Sequence, residues 1–575
     1  MSEQDQESIY ASRFWKKNWD EGLEDLDPEV YNKSFPDVIK NTFERVPDKI
    51  ALTFQGIEIT FAELDKYSNQ FANMLIENGF KKGDLVAINL PNIPEYLITV
   101  IGTHRIGCIA SGLSPLMSEE QMQYQLKDLG SGGKQVALVT LDAIFAARLT
   151  RIAPKLPELK LVIATSVIGM FPKDQQEKIK ALRDIPSGEV TPLEGKIVLD
   201  FHDDVLAKFS THSPDIQVTA DDIAFIQYTG GTTGPPKGAM LTHRNSVSNL
   251  YELKNWIGME FGVGVALSGN PFFHIAGLIV GQACIFNGMT QCLIADPRDA
   301  LYICNQIKQY KPRIMVSVPS LYQILMNFRK FKRLDHSTLE ICISGAAPFP
   351  VESQKQLESI IGEGKVLEVL GITECSPLVA GNPSKGKRKL GSIGLPILNT
   401  KIKIVDPETG EEVPLGEAGE ICVKGPQVTI GYYNKPEETE NAFDDEGFFH
   451  TGDVALMDED GYMRIVDRIK DMIIVGGFKV FSSKVEDILT EHPAIGNIAL
   501  IGKPNPDRPG SEIVNAYIQL DPSYEYDGNE DALNEDITNF AKEKCAPYEV
   551  PKKIHIMEEL PLTVVGKVDK KVLRK

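Results

Sequence analysis

The chain has 575 residues, of which 42% are hydrophobic, 60 are Lys or Arg and 80 are Asp or Glu. This length exceeds that of one small domain, and the composition is typical of a globular protein rather than a disordered one. The formal net charge of −20 repels phosphate backbones, so we expect no nucleic-acid partner.

Three sequence features predict the cellular location: the N-terminal segment, the apolar windows and the cysteine pattern. The N-terminal segment lacks a basic region followed by an apolar core and does not predict a signal peptide. The two most apolar windows, 97–113 and 271–286, contain charged or polar residues and do not predict membrane spans. Eight cysteines without a C-x-x-C pair argue against a structural zinc site and favour buried thiols in a reducing cytosol. We therefore expect a cytoplasmic protein.

Short apolar runs alternate with helical patterns through the first two-thirds of the chain. Capping boxes at Thr60-x-x-Glu63 and Ser118-x-x-Gln121 predict two helix starts, and Gly79 ends the first of these helices. Further helices are predicted after Pro94, from Ser320 and beside Pro350, and strands at 84–90, 135–140, 313–318, 339–345 and 365–371. Strands separated by helices imply parallel sheets with helices packed on their faces.

The pattern changes after about residue 385, where Gly, Pro and alternating strands predict a small β-rich subdomain up to roughly residue 465. From Arg468 a compact α+β pattern restarts, with a helix beginning at Ser483-x-x-Glu486 and another over 532–544. We expect an α/β protein with a large N-terminal domain, 1–467, and a smaller, mobile C-terminal domain, 468–575. The large domain would hold two helix-flanked sheets and the β-rich subdomain.

The segment YTGGTTGPPKG, at 228–238, follows a predicted strand. Its glycines let backbone N–H groups converge, its threonines add hydroxyl donors, and Lys237 adds a positive charge, a combination suited to a polyphosphate. It is not a Walker A loop, because Gly rather than Ser or Thr follows Lys237.

This segment resembles the phosphate loop of the acyl-adenylate-forming enzymes. Other motifs of that superfamily follow in the expected order: PFFHIAG (271–277), SGAAP (344–348), LGITE (370–374), TGD (451–453), RIVDRIKD (464–471) and PLTVVGKVDK (561–570). Within the superfamily the chain most resembles long-chain fatty acyl-CoA ligases. The resemblance implies a reaction in which a carboxylate attacks the α-phosphate of ATP, after which the thiol of CoA displaces AMP.

The resemblance also implies the residues that bind ATP and its magnesium ion. The β- and γ-phosphates would lie against Thr229, Gly230, Gly231, Thr232, Thr233, Gly234 and Lys237. Glu374 would bind Mg²⁺, for which carboxylate oxygen is suited, and Thr373 would contact the α-phosphate. Lys567 would place positive charge where negative charge develops between the carboxylate and the α-phosphate. Lys567, Glu374 and Thr229 are thus the expected catalytic residues.

The remaining implied contacts concern the nucleoside, the acid and CoA. Asp453 would bind the ribose, Arg468 the ribose and phosphate, and the adenine would lie against Gly345, Ala346 and Leu370. Leu370 replaces the usual Tyr, so an aromatic contact worth about 0.5–1.5 kcal/mol is lost. The acyl tunnel would be lined by His274, Gly277 and Leu278, the pantetheine arm by Gly476 and Gly477, and Lys470 would be the hinge between the two half-reactions.

Several alternatives stay open at this stage. An amino-acid adenylation domain carries Asp where this chain has His274, which argues against that class. A ligase for a medium-chain, aromatic or alicyclic acid, an oxygenating luciferase and a non-catalytic acyl-adenylate-binding protein all remain compatible with the motifs. The expected partners are the small molecules acid, ATP and CoA; a homodimer and peripheral contact with the inner face of a membrane are compatible with the sequence.

Overall fold

Alternating strands and helices in the first two-thirds of the chain build two large sheets. The computed structural model describes residues 8–182, 184–229, 235–476, 478–506, 508, 511–562 and 568–574. Among these residues, a seven-stranded sheet runs in spatial order through Ile197–Asp200, Leu159–Thr165, Val136–Leu141, Leu85–Asn89, Ile109–Gly112, Ile223–Thr229 and Lys237–Thr242. Its neighbouring strands are parallel except the last pair, which forms an antiparallel hairpin.

A larger sheet packs beside the first one. In the described part of the chain it has nine strands, in the order Leu395–Pro396, Leu378–Gly381, Val366–Gly371, Ile341–Ser344, Ile314–Ser317, Val265–Ser268, Thr290–Leu293, Ile50–Phe54 and Ile57–Thr60. The central strands are parallel, and the strands at both edges pair antiparallel. The prediction of two helix-flanked, largely parallel sheets is confirmed.

Helices cover these sheets, and two of them start at the predicted capping boxes. Thr60 and Ser118 each accept a hydrogen bond from the backbone of the third helical residue, whose side chain bonds back, so both predicted capping boxes are confirmed. The α-helices of eight or more residues up to residue 361 are Phe35–Arg45, Phe61–Glu77, Pro94–Arg105, Glu119–Gly130, Lys173–Leu182, His243–Trp256, Ile275–Phe286, Ala300–Tyr310, Pro319–Asn327 and Val351–Ile361. Shorter helical segments are Phe14–Asn18, Pro28–Tyr31, Asp142–Ile144, Phe145–Leu149, Thr150–Ile152, Ala153–Lys155, Phe201–Leu206, Phe331–Arg333, Thr373–Cys375 and Pro436–Glu440.

Two smaller structural layers follow the large sheets. An antiparallel four-stranded sheet, as far as the structure describes it, comprises Lys401–Val405, Gly419–Lys424, Phe449–Met457 and Met463–Arg468, as the β-rich pattern predicts. The C-terminal part contains a hairpin and a mixed sheet, with strands Ile473–Val475, Phe478–Val480, Ile495–Pro504, Glu512–Leu520 and Lys553–Met557. Its helices are Ser482–Leu489, Glu530–Lys544 and Lys570–Arg574.

The predicted helix start at Ser483 is wrong in its detail. The helix begins at Ser482, and its N-cap residue Phe481 makes no side-chain capping bond. The Ser483 hydroxyl donates instead to Asp467 at 3.2 Å, and Glu486 pairs with Lys570 at 2.7 Å. Both side chains are thus used in contacts with distant parts of the chain, which the local pattern cannot anticipate.

The cysteines and the apolar helices agree with the sequence analysis. All eight cysteines carry free thiols, and seven of them are buried while Cys545 is half-buried. Burial raises the pKa of Cys284 and of Cys292 to about 12, so these thiols stay protonated at neutral pH. Within the described residues, no helix combines the length and apolar character needed to cross a membrane.

Candidate active site

Two neighbouring parallel strands end side by side, and each leads into a predicted site motif. The strand Ile341–Ser344 leads into the turn 345–346, and Val366–Gly371 leads into the short helix Thr373–Cys375, which carries Glu374. Ligands of open α/β sheets bind outside the carboxyl ends of parallel strands. The sheet topology therefore brings the adenine motif and the metal motif to the same edge.

The turn at 345–346 is conformationally unusual. Ala346 has a φ of +65°, in the left-handed region that residues other than glycine rarely adopt. A Cβ atom on Gly345 would lie 3.0 Å from the Val369 side chain, so the turn packs closely against the neighbouring strand. Such backbone conformations cost roughly 1–3 kcal/mol and cluster at functional sites.

The predicted phosphate loop connects the two strands of a hairpin. Thr229 is the last residue of one strand and pairs in register with Lys237, the first residue of the next. The intervening residues Gly230, Gly231, Thr232, Thr233 and Gly234 lie outside the described residues. The Lys237 ammonium lies 4.8 Å from the centre of the Tyr432 ring, at a distance suited to a cation–π contact.

Glu374 is held by the segment that contains Tyr432. The Tyr432 hydroxyl donates a hydrogen bond of 2.8 Å to Oε1 of Glu374, and the backbone N–H of Thr429 donates to the Glu374 carbonyl at 2.7 Å. Burial raises the pKa of Glu374, an effect that the Tyr432 bond opposes and that the charge of Asp453 reinforces. A desolvated carboxylate beside another acid favours a bound cation, so these residues fit the magnesium ion that the sequence predicts.

Asp453 lies next to this centre on the four-stranded sheet. It is 6% exposed and pairs in register with Arg468, whose Nε lies 2.8 Å from Oδ1 of Asp453. The structure therefore brings together Glu374, Asp453 and Arg468, which lie far apart in the sequence. One carboxylate oxygen of Asp453 is engaged by the arginine, in a geometry suited to a carboxylate that accepts ribose hydroxyls.

An apolar cavity opens from the turn at 345–346. Polar and backbone groups in its lining come from Asn270, His274, Gly345 and Ala346. Its walls are aliphatic, and they include Leu253, Ile257, Met259, Ala266, Ile314, Val316, Ile343, Val369, Pro377 and Leu378. The cavity thus joins the predicted adenine turn to a pocket that suits an alkyl chain.

The helix Ile275–Phe286 presents one face to this cavity. The lining positions are Ile275, Ala276, Ile279, Val280, Ala283 and Cys284, which follow the helical period. His274, at the N-cap, also lines the cavity. Gly277 and Leu278 lie on the other face: a Cβ on Gly277 would come within 2.3 Å of the Pro271 carbonyl, and Leu278 is buried in the core.

Other predicted positions are distributed around the centre. Leu370 is 9% exposed and packs in the large hydrophobic core, between Val369 and Gly371, which both line the cavity. Thr373 is half-buried at the start of the short helix that carries Glu374.

The C-terminal candidates lie beyond the last strand of the four-stranded sheet. Burial and the charge of Arg468 lower the pKa of Lys470 to about 8, and its carbonyl accepts a hydrogen bond of 3.1 Å from Arg574. Gly476 has a φ of +62°, and its N–H donates to the Ser511 hydroxyl at 2.8 Å. Gly477 and Lys567 lie outside the described residues.

Tyr432 is a site residue that the sequence analysis missed. Its side chain is 8% exposed and contacts both Glu374 and Lys237, which the sequence analysis did identify. Its backbone pairs with Ala239 in an isolated antiparallel bridge, which fixes the ring between the two motifs. The contact joins residues 58 positions apart, so no local pattern could have revealed it.

The fold and these motifs define an enzyme that activates an acid with a nucleotide, and comparisons with known proteins agree. Residues 39–433 match the AMP-binding enzyme family, and residues 484–567 match the AMP-binding enzyme C-terminal domain. The chain therefore belongs to the AMP-binding enzyme family.

Individual relatives extend over nearly the whole chain. It is 36% identical over 559 residues to the long-chain-fatty-acid–CoA ligase of Bacillus subtilis (strain 168), covering 93% of both chains. It is 34% identical over 562 residues to the long-chain-fatty-acid–CoA ligase of Salmonella typhimurium, covering 96% of this chain and 95% of that one. The structure of ATP-bound MatB from Rhodopseudomonas palustris matches with a TM-score of 0.79 at 28% identity, over 94% of this chain and 98% of that chain.

Proposed function

We propose that this protein is an ATP-dependent ligase that joins a long-chain fatty acid to CoA and releases AMP and pyrophosphate. The observation that carries the proposal is the apolar cavity that is lined by the Gly345–Ala346 turn and by aliphatic side chains. Each methylene removed from water contributes about 0.8 kcal/mol, so an aliphatic lining favours an alkyl group over a polar one. The full-length relatives named as long-chain-fatty-acid–CoA ligases support the same substrate class.

In the first half-reaction, an oxygen of the fatty carboxylate attacks the α-phosphorus and pyrophosphate leaves. We assign the β- and γ-phosphates to Lys237 and to the loop of Thr229, Gly230, Gly231, Thr232, Thr233 and Gly234, and the α-phosphate to Thr373. Glu374 would hold Mg²⁺, which when bound neutralises phosphate charge. Tyr432 orients this carboxylate through its 2.8 Å hydrogen bond.

The nucleoside would lie between the carboxyl edge of the nine-stranded sheet and the four-stranded sheet. Asp453, held by Arg468 at 2.8 Å, would accept hydrogen bonds from the ribose hydroxyls. The adenine would pack on the turn at 345–346, with the strand that contains Leu370 behind it. Lys567 would place its ammonium between the carboxylate and the α-phosphate, where negative charge develops.

In the second half-reaction, the thiol of CoA attacks the acyl carbon and AMP leaves. We assign the pantetheine passage to Gly476 and Gly477, and the change between the two half-reactions to a rotation of residues 468–575 about Lys470. Rotation would allow groups of one small domain to serve two different steps at one centre. Free thiols are kept reduced in the cytosol, which supports a cytoplasmic site of action.

A panel of acids tests the proposed substrate class. Acetate, octanoate, palmitate and benzoate are each assayed for acyl-CoA, AMP and pyrophosphate, and kcat/KM is expected to be highest for palmitate. A higher value for benzoate or acetate would assign the protein to another acid, and no acyl-CoA from any acid would support a non-catalytic binding protein.

A cavity variant tests the location of the alkyl chain. Ala283 lines the cavity and is 2% exposed, so Ala283→Leu fills space that the chain would occupy. We expect kcat/KM for palmitate to fall by about 10-fold or more relative to octanoate, since a misplaced methylene costs roughly 1–3 kcal/mol. Leu278→Met, on the other face of the same helix and similar in volume, is the matched control and should leave this ratio unchanged.

A further inference from the structure

Three metal-ligating side chains converge on the four-stranded sheet, outside the residues assigned above. Glu420 and Cys422 are two positions apart on the strand Gly419–Lys424, so both point to the same face of the sheet. His450, on the adjacent strand Phe449–Met457, pairs in register with Cys422. Strand pairing therefore places the three donors together without any help from a flexible loop.

The distances between the donor atoms suit one metal ion. The Sγ atom of Cys422 lies 3.5 Å from Nδ1 of His450, and the three ligand atoms all lie within 4.8 Å of one another. Tetrahedral zinc, with bonds of about 2.3 Å to sulfur and 2.0 Å to nitrogen, separates these two atoms by a similar distance. Oε2 of Glu420 lies 2.7 Å from Nδ1 of His450. Two ligand atoms of one tetrahedral zinc ion lie slightly farther apart, so this distance would increase by only about half an ångström on binding.

The charge and the softness of the donors select the ion. A thiolate and a carboxylate together neutralise a divalent cation, which matters because Glu420 is 5% exposed and Cys422 is buried. The nearby Lys403 ammonium is paired with Asp444 at 2.8 Å and Glu446 at 2.7 Å, and these carboxylates offset its charge. Thiolate and imidazole ligands favour zinc-like ions over magnesium. The His450 side chain is 30% exposed, which leaves a route for the ion and a position for water.

We infer that Glu420, Cys422 and His450 form a binding site for one zinc-class divalent ion. Binding would convert the Cys422 thiol into a thiolate, release its proton to solvent, and replace the hydrogen bond between Glu420 and His450 by two metal–ligand bonds. The site has three protein ligands, and it differs from a closed structural zinc site built on a C-x-x-C pair. Its cross-strand geometry explains why the cysteine spacing does not reveal it.

The site is linked to the turn that carries Asp453. The second carboxylate oxygen of Glu420 accepts a 2.8 Å hydrogen bond from the N–H of Gly452, and the Thr451 hydroxyl donates to the Ile421 carbonyl at 2.8 Å. A metal ion that draws Glu420 toward Cys422 would weaken the bond to Gly452 and shift Asp453. Metal binding is therefore expected to lower ATP affinity, a consequence that rests on the proposed role of Asp453 in binding ribose.

Cobalt binding tests the site without relying on activity. Purified apo protein is titrated with Co²⁺, and a thiolate-to-cobalt absorption band should appear with one ion bound per chain. Cys422→Ser should abolish the band and His450→Gln should weaken binding by at least about 10-fold. Cys545→Ser, at the half-buried cysteine of the C-terminal part, is the control and should keep the band. No band in the parent protein, or an unchanged band in Cys422→Ser, overturns the inference.

A second measurement separates the link to ATP from the site itself. The KM for ATP is measured at constant free Mg²⁺ with increasing Zn²⁺ in the parent protein and in Cys422→Ser. We expect the KM to rise with Zn²⁺ in the parent and at least about 10-fold less steeply in the variant. If cobalt binds through Cys422 but the KM for ATP rises equally with Zn²⁺ in both proteins, the metal site is supported and its link to the turn that carries Asp453 is refuted. A chain that binds cobalt but never forms acyl-AMP would refute the proposed function alone.

Discussion

Tyr432 offers the sharpest test of how the site is organised. Its hydroxyl and its ring contact two different residues that are predicted to bind magnesium and phosphate. Its hydroxyl donates to Glu374 at 2.8 Å, and its ring lies 4.8 Å from the Lys237 ammonium. Tyr432→Phe removes the first contact and keeps the second. Tyr432→Leu removes both.

The expected magnitudes follow from the two contacts. A hydrogen bond to a charged group contributes about 1.5–3 kcal/mol, and losing a group that orients a metal ligand typically lowers metal affinity by about 10- to 100-fold. Tyr432→Phe should therefore raise the Mg²⁺ concentration for half-maximal acyl-AMP formation by that factor. Tyr432→Leu should in addition raise the KM for ATP by roughly 2- to 5-fold, since a cation–π contact contributes about 0.5–1 kcal/mol.

The assay is pyrophosphate release in the absence of CoA, with Mg²⁺ titrated at a fixed ATP concentration. Glu374→Gln should shift the Mg²⁺ curve at least as far as Tyr432→Phe, because a neutral amide is a poorer ligand for a hard cation. The neighbouring residue provides the control: the Tyr433 hydroxyl donates to the Leu129 carbonyl at 3.0 Å, away from Glu374. An unchanged curve for Tyr432→Phe, or an equal shift for Tyr433→Phe, would refute this reasoning.

Three further predictions concern the catalytic lysine, the hinge and acid stability. Lys567→Ala should slow acyl-AMP formation by roughly 10²–10³ while sparing thioester formation from preformed acyl-AMP, and equal losses in both would contradict its role. Lys470→Pro fixes φ and should impair thioester formation more than adenylation; half-reactions that both proceed at the parent rate would refute the rotation at this position. Burial lowers the pKa of His104 from 6.5 to about 4, so the unfolded chain binds the proton more readily as pH falls. His104 alone therefore lowers the free energy of unfolding by about 2 kcal/mol from pH 7 to pH 5, so in urea denaturation the parent should lose about that much relative to His104→Gln over this range; the same pH dependence in both proteins would contradict this.

Much of the fold could be predicted from local sequence because its signals are local. The capping boxes at Thr60 and Ser118 need only contacts across the first turn of a helix, and the structure contains both. The strands before Gly345 and Thr373 are mostly apolar and mostly buried, as expected for strands covered on both faces of a parallel sheet, with Glu368 as the charged exception. Their order in the sheet then places the two motifs at one edge.

The features that the local sequence does not predict depend on contacts with residues that are distant in the chain. The Ser483 hydroxyl bonds Asp467 rather than capping its own helix. Gly277 and Leu278 belong to an apolar helix whose sequence is hydrophobic on all sides, so periodicity does not tell which face meets the cavity. The contacts of Tyr432 and the convergence of Cys422 with His450 depend on strand register, which the sequence motifs do not encode.

The central claim is that the acid's carboxylate attacks the α-phosphorus of ATP, and an oxygen label follows that bond directly. Palmitate labelled with ¹⁸O in both carboxyl oxygens is incubated with the protein, ATP, Mg²⁺ and CoA, and the products are separated by mass. Attack at the α-phosphorus followed by thiol attack on the acyl carbon leaves one acid oxygen on AMP and one in palmitoyl-CoA. We predict one ¹⁸O in each AMP released; label in phosphate or pyrophosphate, or unlabelled AMP formed together with palmitoyl-CoA, would contradict the claim.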